Sequence, residues 1–290
     1  MIIETLYDKG TAEETEDIAL TRTVNGFDGP HIIAVVADGV SSPYNPAEGP
    51  RLFHGRTGGQ LVCEAIRNAV SDIGLGDTIE SLVLMASLRI RELAMHHQLP
   101  MQRSDLLPGA AFVFARIDEK RIRIVQGADC CAVWERKDGT VNATRNQVFD
   151  HDSMLKELIA ELMIRYNGDR EKVWQKLMPI LFQVRLWHVN KKGRNGYAIL
   201  NGQEEAIGCC RRITLSRKRT RRLILFSDGM VPFGETKDRK LLGQMVMGLF
   251  DQGGLPAILR RTRKFEEEEQ RTSHIHHAEA TAISIEDLLV

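Results

Sequence analysis

Two aspartate-glycine pairs, far apart in the chain, stand at the ends of apolar runs. The segment "HIIAVVADGVSS" contains Asp38-Gly39, and "RRLILFSDGM" contains Asp228-Gly229. A carboxylate at the end of a buried strand is held by a rigid element, and a glycine after it lets the backbone turn and bring its carbonyl close to a ligand. Two such ends on neighbouring strands would surround one hard cation with oxygen atoms. Oxygen-only ligands favour Mg²⁺ or Mn²⁺ over Zn²⁺.

The same dipeptide also has a simpler interpretation, because Asp-Gly is a strong signal of a tight hairpin turn. Asp138-Gly139 lies between polar residues and has this interpretation. Asp38 and Asp228 differ, since an apolar run leads into each of them and small or polar residues surround them. For these two pairs the turn and the metal ligand remain alternatives.

The elements that position these residues begin with short apolar runs rich in β-branched residues, which predict strands. They lie near residues 3–7, 18–23, 31–37, 109–117, 121–127, 131–136, 197–200, 211–216, 221–227 and 280–286. The basic run "RRITLSRKRTRR" from Arg211 lies between two of these strands. We interpret it as a solvated hairpin tip and not as a phosphate-binding patch.

Helical periodicity occurs in pairs of segments between the strands. The predicted helices lie in 54–72 and 77–97, in a pair within 153–184, and in 238–252 and 256–270. Strands, helix pairs and a strand meander therefore follow one another without the strict alternation of a doubly wound parallel sheet. This order predicts antiparallel sheets covered by helices, an α+β sandwich, in a single domain over residues 1–290. The helical pair within 153–184 is either a lid or ordinary packing.

Bulk properties exclude several classes of function. Lys+Arg and Asp+Glu both number 39, so the charge balance gives no reason to expect nucleic acid or an anionic membrane as a partner. No apolar run reaches the ~18 residues of a membrane helix, and the first residues do not resemble a secretory signal. The five cysteines include two adjacent pairs, which rarely form a disulfide with each other, so we expect free thiols and a cytoplasmic location.

Short motifs follow one another along the chain in a fixed order. They are "TEDIAL" from Thr15, "VVADGVSS" from Val35, "GAAFVFARI" from Gly109, "GADCCAVW" from Gly127, "LILFSDGM" from Leu223 and "HAEATAISI" from His277. In this order and at this spacing the chain resembles the protein phosphatase 2C family in its bacterial form, the metal-dependent protein Ser/Thr phosphatases. The fourth motif places Asp129 at the family's aspartate. The resemblance implies a four-layer α-β-β-α sandwich of two mainly antiparallel sheets.

The resemblance also implies site residues and cofactors. Asp38 would bridge two ions of Mn²⁺ or Mg²⁺, and the carbonyl of Gly39 would bind one of them. Asp228 would bind a metal directly, and Glu16 and Asp17 match the family's acidic pair, which holds waters around the ions. Bound dications lower the pKa of water from ~15.7 towards neutrality, and a water so activated attacks phosphorus in line.

The closing motif departs from the family pattern. The family's metal-binding aspartate lies three residues before the threonine, and Thr281 is preceded at that distance by Ala278, which cannot bind metal. Glu279 is the best candidate for its replacement, because a carboxylate suits Mg²⁺ and Mn²⁺ and a bulge can compensate for a shift of one residue. His277 is the other candidate.

Further departures concern the histidines and the cations. His274, His276 and His277 form either a metal site or an exposed polar loop. The arginine often found near the family's N-terminus is missing, with Lys9 the nearest cation, and Val40 excludes a histidine acid after the Asp-Gly pair.

The main prediction is a metal-dependent phosphatase that hydrolyses phosphoserine or phosphothreonine in proteins, with a phosphorylated protein as partner. The alternative is a non-catalytic phosphatase-like module that binds a partner with an impaired metal site. A hydrolase with an N-terminal nucleophile is disfavoured, because Met1-Ile2 supplies no nucleophile. The substrate protein and the oligomeric state are not predicted.

Overall fold

A computed structural model describes residues 1–13, 15–26, 29–42, 49–74, 76–231, 236–269 and 277–288. The strands are β1 (Ile2–Asp8), β2 (Asp17–Gly26), β3 (Gly29–Val40), β4 (Leu52–Phe53), β5 (Arg56–Thr57), β6 (Gly109–Ile117), β7 (Arg121–Gly127), β8 (Cys131–Arg136), β9 (Val141–Ala143), β10 (Arg211–Ser216), β11 (Thr220–Phe226) and β12 (Ala280–Glu286). The helices are α1 (Gly58–Asp72), α2 (Ile79–His96), α3 (Phe149–Arg165), α4 (Arg170–His188), α5 (Glu205–Cys209) and α6 (Arg239–Glu269).

Two five-stranded sheets form the centre of the molecule. Sheet A has the strand order β1-β12-β11-β8-β9, and sheet B has the order β10-β7-β6-β3-β2. Every ladder in the two sheets is antiparallel. The prediction of two mainly antiparallel sheets in an α+β fold is confirmed.

The layers follow from the alternation of side chains along the central strands. Successive residues of a strand point to opposite faces of the sheet. On β3, Ile33, Val35 and Ala37 pack with α1 and α2. Ile32 and its alternate neighbours on β3 pack between the two sheets. Helix α6 covers the outer face of sheet A, which completes the predicted α-β-β-α order.

Asp38 continues the alternation of the face between the sheets. It lies two residues beyond Val36, whose side chain belongs to the core between the sheets. A strand that is buried on both faces therefore directs its only carboxylate towards the opposite sheet.

Two predictions of local structure are wrong. Residues 197–200 form no strand but two isolated bridges, Val189 with Tyr197 and Ala110 with Leu200. The run from Arg211 is not a hairpin tip, because β10 belongs to sheet B and β11 to sheet A. A 3-10 turn at Arg217–Arg219 carries the chain from one sheet to the other. The sequence does not show this change of sheet, because the pairing partners of the two strands, β7 for β10 and β8 and β12 for β11, lie far away in the chain.

The remaining elements agree with their sequence patterns. Helix α6 spans both predicted C-terminal helices and leaves helical geometry at Gly253 and Gly254, where Gly254 has φ +66°. Helices α3 and α4 pack against each other, and the side chain of Asp169 caps α4 by accepting from the amide of Lys172. All five cysteines are free. Over the described residues, no helix is long and apolar enough to cross a membrane.

Candidate metal centre

The two aspartates of the doubled motif meet at the interface of the sheets. Asp38 lies at the end of β3 in sheet B, and Asp228 follows β11 of sheet A. Both side chains line the same cavity, and the charge of Asp228 contributes to the raised pKa of Asp38. The two strands are not neighbours in one sheet, as the sequence interpretation assumed, but face each other across the core.

Asp17 lies directly beside Asp38. The two are cross-strand partners in the β2–β3 ladder, and such partners point to the same face of the sheet. Asp17 is buried, and its Oδ2 accepts a hydrogen bond of 2.7 Å from the hydroxyl of Ser227. That hydroxyl accepts from the amide of Thr281, so the closing strand is tied to the same group.

These carboxylates are shielded from water and lie close enough to repel one another electrostatically. Burial, followed by the charges of Asp17 and Asp228, raises the pKa of Asp38 well above its usual range. Burial, and then the charge of Asp228, raises the pKa of Asp129 to about 7. Burial also raises the pKa of Asp17 to about 7, against the lowering effect of the Ser227 hydroxyl. The cluster therefore favours whatever neutralises its charge, either protons or cations.

The glycines of both motifs allow close approach of the backbone. A Cβ on Gly39 would lie 2.7 Å from the carbonyl oxygen of Glu16 and 2.8 Å from that of Gly59. A Cβ on Gly229 would lie 1.9 Å from the carbonyl oxygen of Glu279. Gly39 lies within β3, so its role there is close packing and not the sharp turn that the sequence suggested.

Glu16 and Glu279 lie at one side of this cluster. Glu16 Oε1 accepts from the hydroxyl of Ser41 at 2.8 Å and from the hydroxyl of Thr57, the N-cap of α1. The carboxylate of Glu279 accepts from the amides of Glu16 at 2.8 Å and Asp17 at 3.0 Å. Glu279 thus holds the backbone of the acidic pair, and its charge contributes to the raised pKa values of Asp17 and Asp38.

A different carboxylate contacts the position of the missing aspartate. The amide of Ala278 donates to Glu266 Oε1 of α6 at 3.2 Å, and its carbonyl accepts from Arg263 at 2.7 Å. His277 Nδ1 lies 2.8 Å from Glu266 Oε2. His277 is thus engaged by α6, while His274 and His276 lie outside the described residues. Sequence analysis did not identify Glu266 as a site residue, because it begins an acidic run that is typical of a solvated helix face.

A cavity of about 240 Å³ opens beside Asp38 and Asp228. Helices α3 and α4 form part of its wall, and its polar lining includes Asp129, Asp152 and Arg185. Asp129 Oδ1 and Asp152 Oδ2 are buried and have no hydrogen-bond partner. Sequence reasoning missed Asp152, since an acid in the first turn of a helix is usual without any further role.

The donor set fits hard divalent cations. Within the described ranges, no three or more Asp, Glu, His or Cys side chains converge closely enough to hold an ion as they stand. Binding therefore requires these carboxylates to rotate towards a common centre. Their chemistry suits that step, because they are oxygen donors with raised pKa values and Asp129 has an unpartnered buried oxygen.

Comparisons with known proteins agree with this architecture. No curated protein matches the chain. The serine/threonine phosphatase PstP/Ppp of Mycobacterium tuberculosis is similar in structure, with a TM-score of 0.54 and 13% identity over 98% of this chain and 97% of that one. A structure of the PstP catalytic domain in complex with 2 manganese ions has a TM-score of 0.52 and 14% identity, over 98% of this chain and 96% of the other.

A third similar structure is the serine/threonine phosphatase Stp1 from Staphylococcus aureus, with a TM-score of 0.52 and 13% identity over 98% of this chain and 94% of that one. At these identities the structures show a shared fold. The family is shown by a sequence model described as "Protein phosphatase 2C", which matches residues 17–277. The chain belongs to the protein phosphatase 2C family.

Proposed function

We propose that this protein is a metal-dependent phosphatase that hydrolyses phosphoserine and phosphothreonine in proteins. The observation that carries the proposal is the meeting of Asp38 and Asp228 from opposite sheets, within a cluster of buried carboxylates. Membership of the family and the manganese-containing PstP structure support it.

We assign roles to the residues in line with this function. The carboxylates of Asp38 and Asp228 and the carbonyl of Gly39 would hold Mn²⁺ or Mg²⁺, two ions in all. When bound, such ions supply an acidic water and neutralise the phosphoryl charge. Glu16 and Asp17 would orient waters around the ions, and Glu279 fixes the backbone of this pair through its two amide contacts.

A specific observation favours the second candidate, a non-catalytic phosphatase-like module. Ala278 supplies no carboxylate, and its peptide group is held by Glu266 and Arg263. A site with fewer carboxylate ligands binds its ions more weakly. We therefore expect the enzyme to require millimolar-range Mn²⁺, roughly the weakest class of oxygen-ligand sites.

The deciding experiment compares two aspartate-glycine pairs. Asp38→Ala should abolish Mn²⁺-dependent hydrolysis of p-nitrophenyl phosphate, because it removes a carboxylate that would hold the ions. Asp138→Ala is the matched control, since Asp138 lies in the exposed turn between β8 and β9, where its side chain accepts from the amide of Thr140. Circular dichroism should show both variants folded. Wild-type activity in a folded Asp38→Ala protein would refute the two-metal site.

We further propose phosphorylated proteins as substrates, a single phosphatase domain over residues 1–290, and a cytoplasmic location. The free state of all five cysteines supports the location, because thiols persist in reducing compartments.

A further inference from the structure

The cavity beside Asp38 contains one strongly basic side chain. Among the described residues that line it, four are aspartates, Asp38, Asp129, Asp152 and Asp228, and Arg185 is the only lysine or arginine. A phosphate monoester is an anion, and carboxylates alone repel it. Cations at the aspartates would attract one side of the phosphoryl group, and the guanidinium lies in the wall of the same cavity.

Arg185 is held firmly by the main chain around it. Its Nη1 donates to the carbonyl of Ser41 at 3.0 Å, and its Nη2 donates to the carbonyl of Leu107 at 2.7 Å. The carbonyl of Arg185 itself accepts from the hydroxyl of Ser104 at 2.9 Å. These contacts fix the plane of the guanidinium and leave further N–H donors, since each terminal nitrogen carries two. Little rotamer entropy is then lost when an anion binds.

The guanidinium has no carboxylate partner of its own. No ion pair joins Arg185 to an acidic residue in the described part of the chain. Asp105 is near enough to influence it, but the Arg103 guanidinium binds both oxygens of Asp105, at 2.8 and 2.5 Å. Burial lowers the pKa of Arg185, yet arginine remains charged at any physiological pH. A partly buried guanidinium without an ion-pair partner among the described residues favours an anion in the adjacent space.

The alternative cation from the sequence, Lys9, does not take this position. Lys9 is exposed at the end of β1 and is not among the residues that line the cavity. Arg185 is also tied to the segment that carries Asp38, because Ser41 lies three residues beyond Asp38 and its hydroxyl contacts Glu16.

We propose that Arg185 binds the phosphoryl oxygens of the substrate, opposite the carboxylates that hold the ions. The inference rests on the proposed phosphatase function for the identity of the substrate. The position requires an arginine, because the planar guanidinium can donate two parallel N–H hydrogen bonds to phosphate oxygens. The ammonium group of a lysine lacks this geometry.

The test measures the binding of inorganic phosphate to the Mn²⁺-treated full-length protein by calorimetry, together with the KM for p-nitrophenyl phosphate. Arg185→Met should weaken phosphate binding and raise KM by about tenfold or more, because a charge-assisted hydrogen bond is lost. Arg185→Lys should weaken phosphate binding roughly several-fold, since the positive charge stays but the paired N–H donors of the guanidinium are lost. Affinity for Mn²⁺ should be unchanged in both.

The matched control is Arg212→Met. Arg212 also donates to two carbonyls, those of Ile207 at 2.6 Å and Cys210 at 3.4 Å, but it does not line the cavity. It should leave phosphate binding and KM unaltered. If Arg185→Met does not fold, Arg185→Lys decides the matter.

The outcomes separate this inference from the proposed function. Wild-type phosphate affinity and KM in a folded Arg185 variant would overturn the inference while the phosphatase activity stands. A wild-type protein that binds no phosphate at millimolar concentration would also overturn it. Absence of hydrolysis, together with phosphate binding that depends on Arg185, would refute the phosphatase and support the anion site.

Discussion

At the scale of single residues, the decisive position is Ala278. The family resemblance requires a carboxylate there, and Ala278 instead offers only its peptide group, bound on both sides by residues of α6. Two glutamates lie near it. Glu279 faces Asp17 and Asp38, whose pKa values it helps to raise, whereas Glu266 is paired with Arg263 at 2.7 Å. Glu279 is therefore the better candidate to support the ions.

This comparison gives a prediction for metal affinity. Glu279→Gln should weaken Mn²⁺ binding by about tenfold, whether Glu279 binds an ion or only orients its ligands. Ala278→Asp should tighten binding and raise turnover at low Mn²⁺, because it restores the family's carboxylate. Glu266→Gln is the comparison variant, since Glu266 is paired with Arg263 but its charge also contributes to the raised pKa of Asp228. Calorimetry measures all three. Equal losses in the two glutamine variants would contradict the preference for Glu279 over Glu266.

Residue types in sequence predict chemistry best where the backbone pattern forces a direction. The alternation along β3 aims Asp38 at the opposite sheet. Asp228 lies beyond the end of β11 in a 3-10 turn, so strand alternation does not set its direction. Asp152 and Arg185 were not predictable, because each stands on a helix where a charge usually faces solvent. Only the packing of α3 and α4 over the site turns these charges inward.

At the scale of elements, α3 and α4 border the cavity that contains the aspartates. Leu155 of α3 and Leu181 and Val184 of α4 line the cavity. The helical pair therefore contributes apolar side chains to a cavity that also contains four aspartates. Other positions of the pair are exposed, and Ile164 near the end of α3 is 80% accessible. The pair therefore does more than pack against the sheets, since part of it borders the space that the substrate would occupy.

A bulky residue in this wall should obstruct the substrate without disturbing the ions. Leu181→Trp should raise the KM for p-nitrophenyl phosphate roughly tenfold, because the larger ring fills space inside a cavity of about 240 Å³. Affinity for Mn²⁺ should be unchanged, since the carboxylates belong to other elements. Ile164→Trp provides the control at an exposed site of the same helical pair. An unchanged KM in the folded Leu181 variant would place the substrate path elsewhere.

The position of a strand was predictable where its own residues determine it. Its pairing was not predictable where a partner strand far away in the chain determines it. The strands formed by continuous apolar runs, such as β3 and β6, lie at the expected places. The change of sheet between β10 and β11 depends on pairing with β7 on one side and with β8 and β12 on the other. No local pattern records such long-range pairing. Residues 197–200 fail as a strand for the same reason, since they find only isolated bridges.

At the scale of the whole molecule, the four layers concentrate negative charge at one point. Strands from both ends of the chain converge there, with Asp17 from β2, Asp38 from β3 and the closing segment before β12. The fold thus holds several carboxylates close together, where their mutual repulsion lowers the stability of the folded protein. Such clusters are typical of functional sites. The stability of the protein should consequently depend on pH and on divalent ions.

Asp152 makes this dependence measurable. Burial, and then the charges of Asp129 and Asp228, raise the pKa of Asp152 to about 8, far above the ~3.9 of an unfolded chain. A raised pKa contributes stability that is present below the unfolded value and is lost as pH rises through the folded value. In EDTA, the Tm of Asp152→Asn should therefore exceed that of the wild type by a difference that grows from about pH 5 to about pH 8 and then levels off.

The comparison of variant and wild type at each pH matters because other groups act in the opposite direction. Burial lowers the pKa of His31, so its contribution to stability increases as pH rises. The difference between the two proteins removes that contribution, and it should reach several degrees, about 3–5 °C, at pH 8. Saturating Mn²⁺ should raise the Tm of the wild type most at alkaline pH, where the aspartates carry their full charge. A Tm difference that stays constant from pH 5 to pH 9 would show that Asp152 is ionised throughout and that the charge cluster is well solvated.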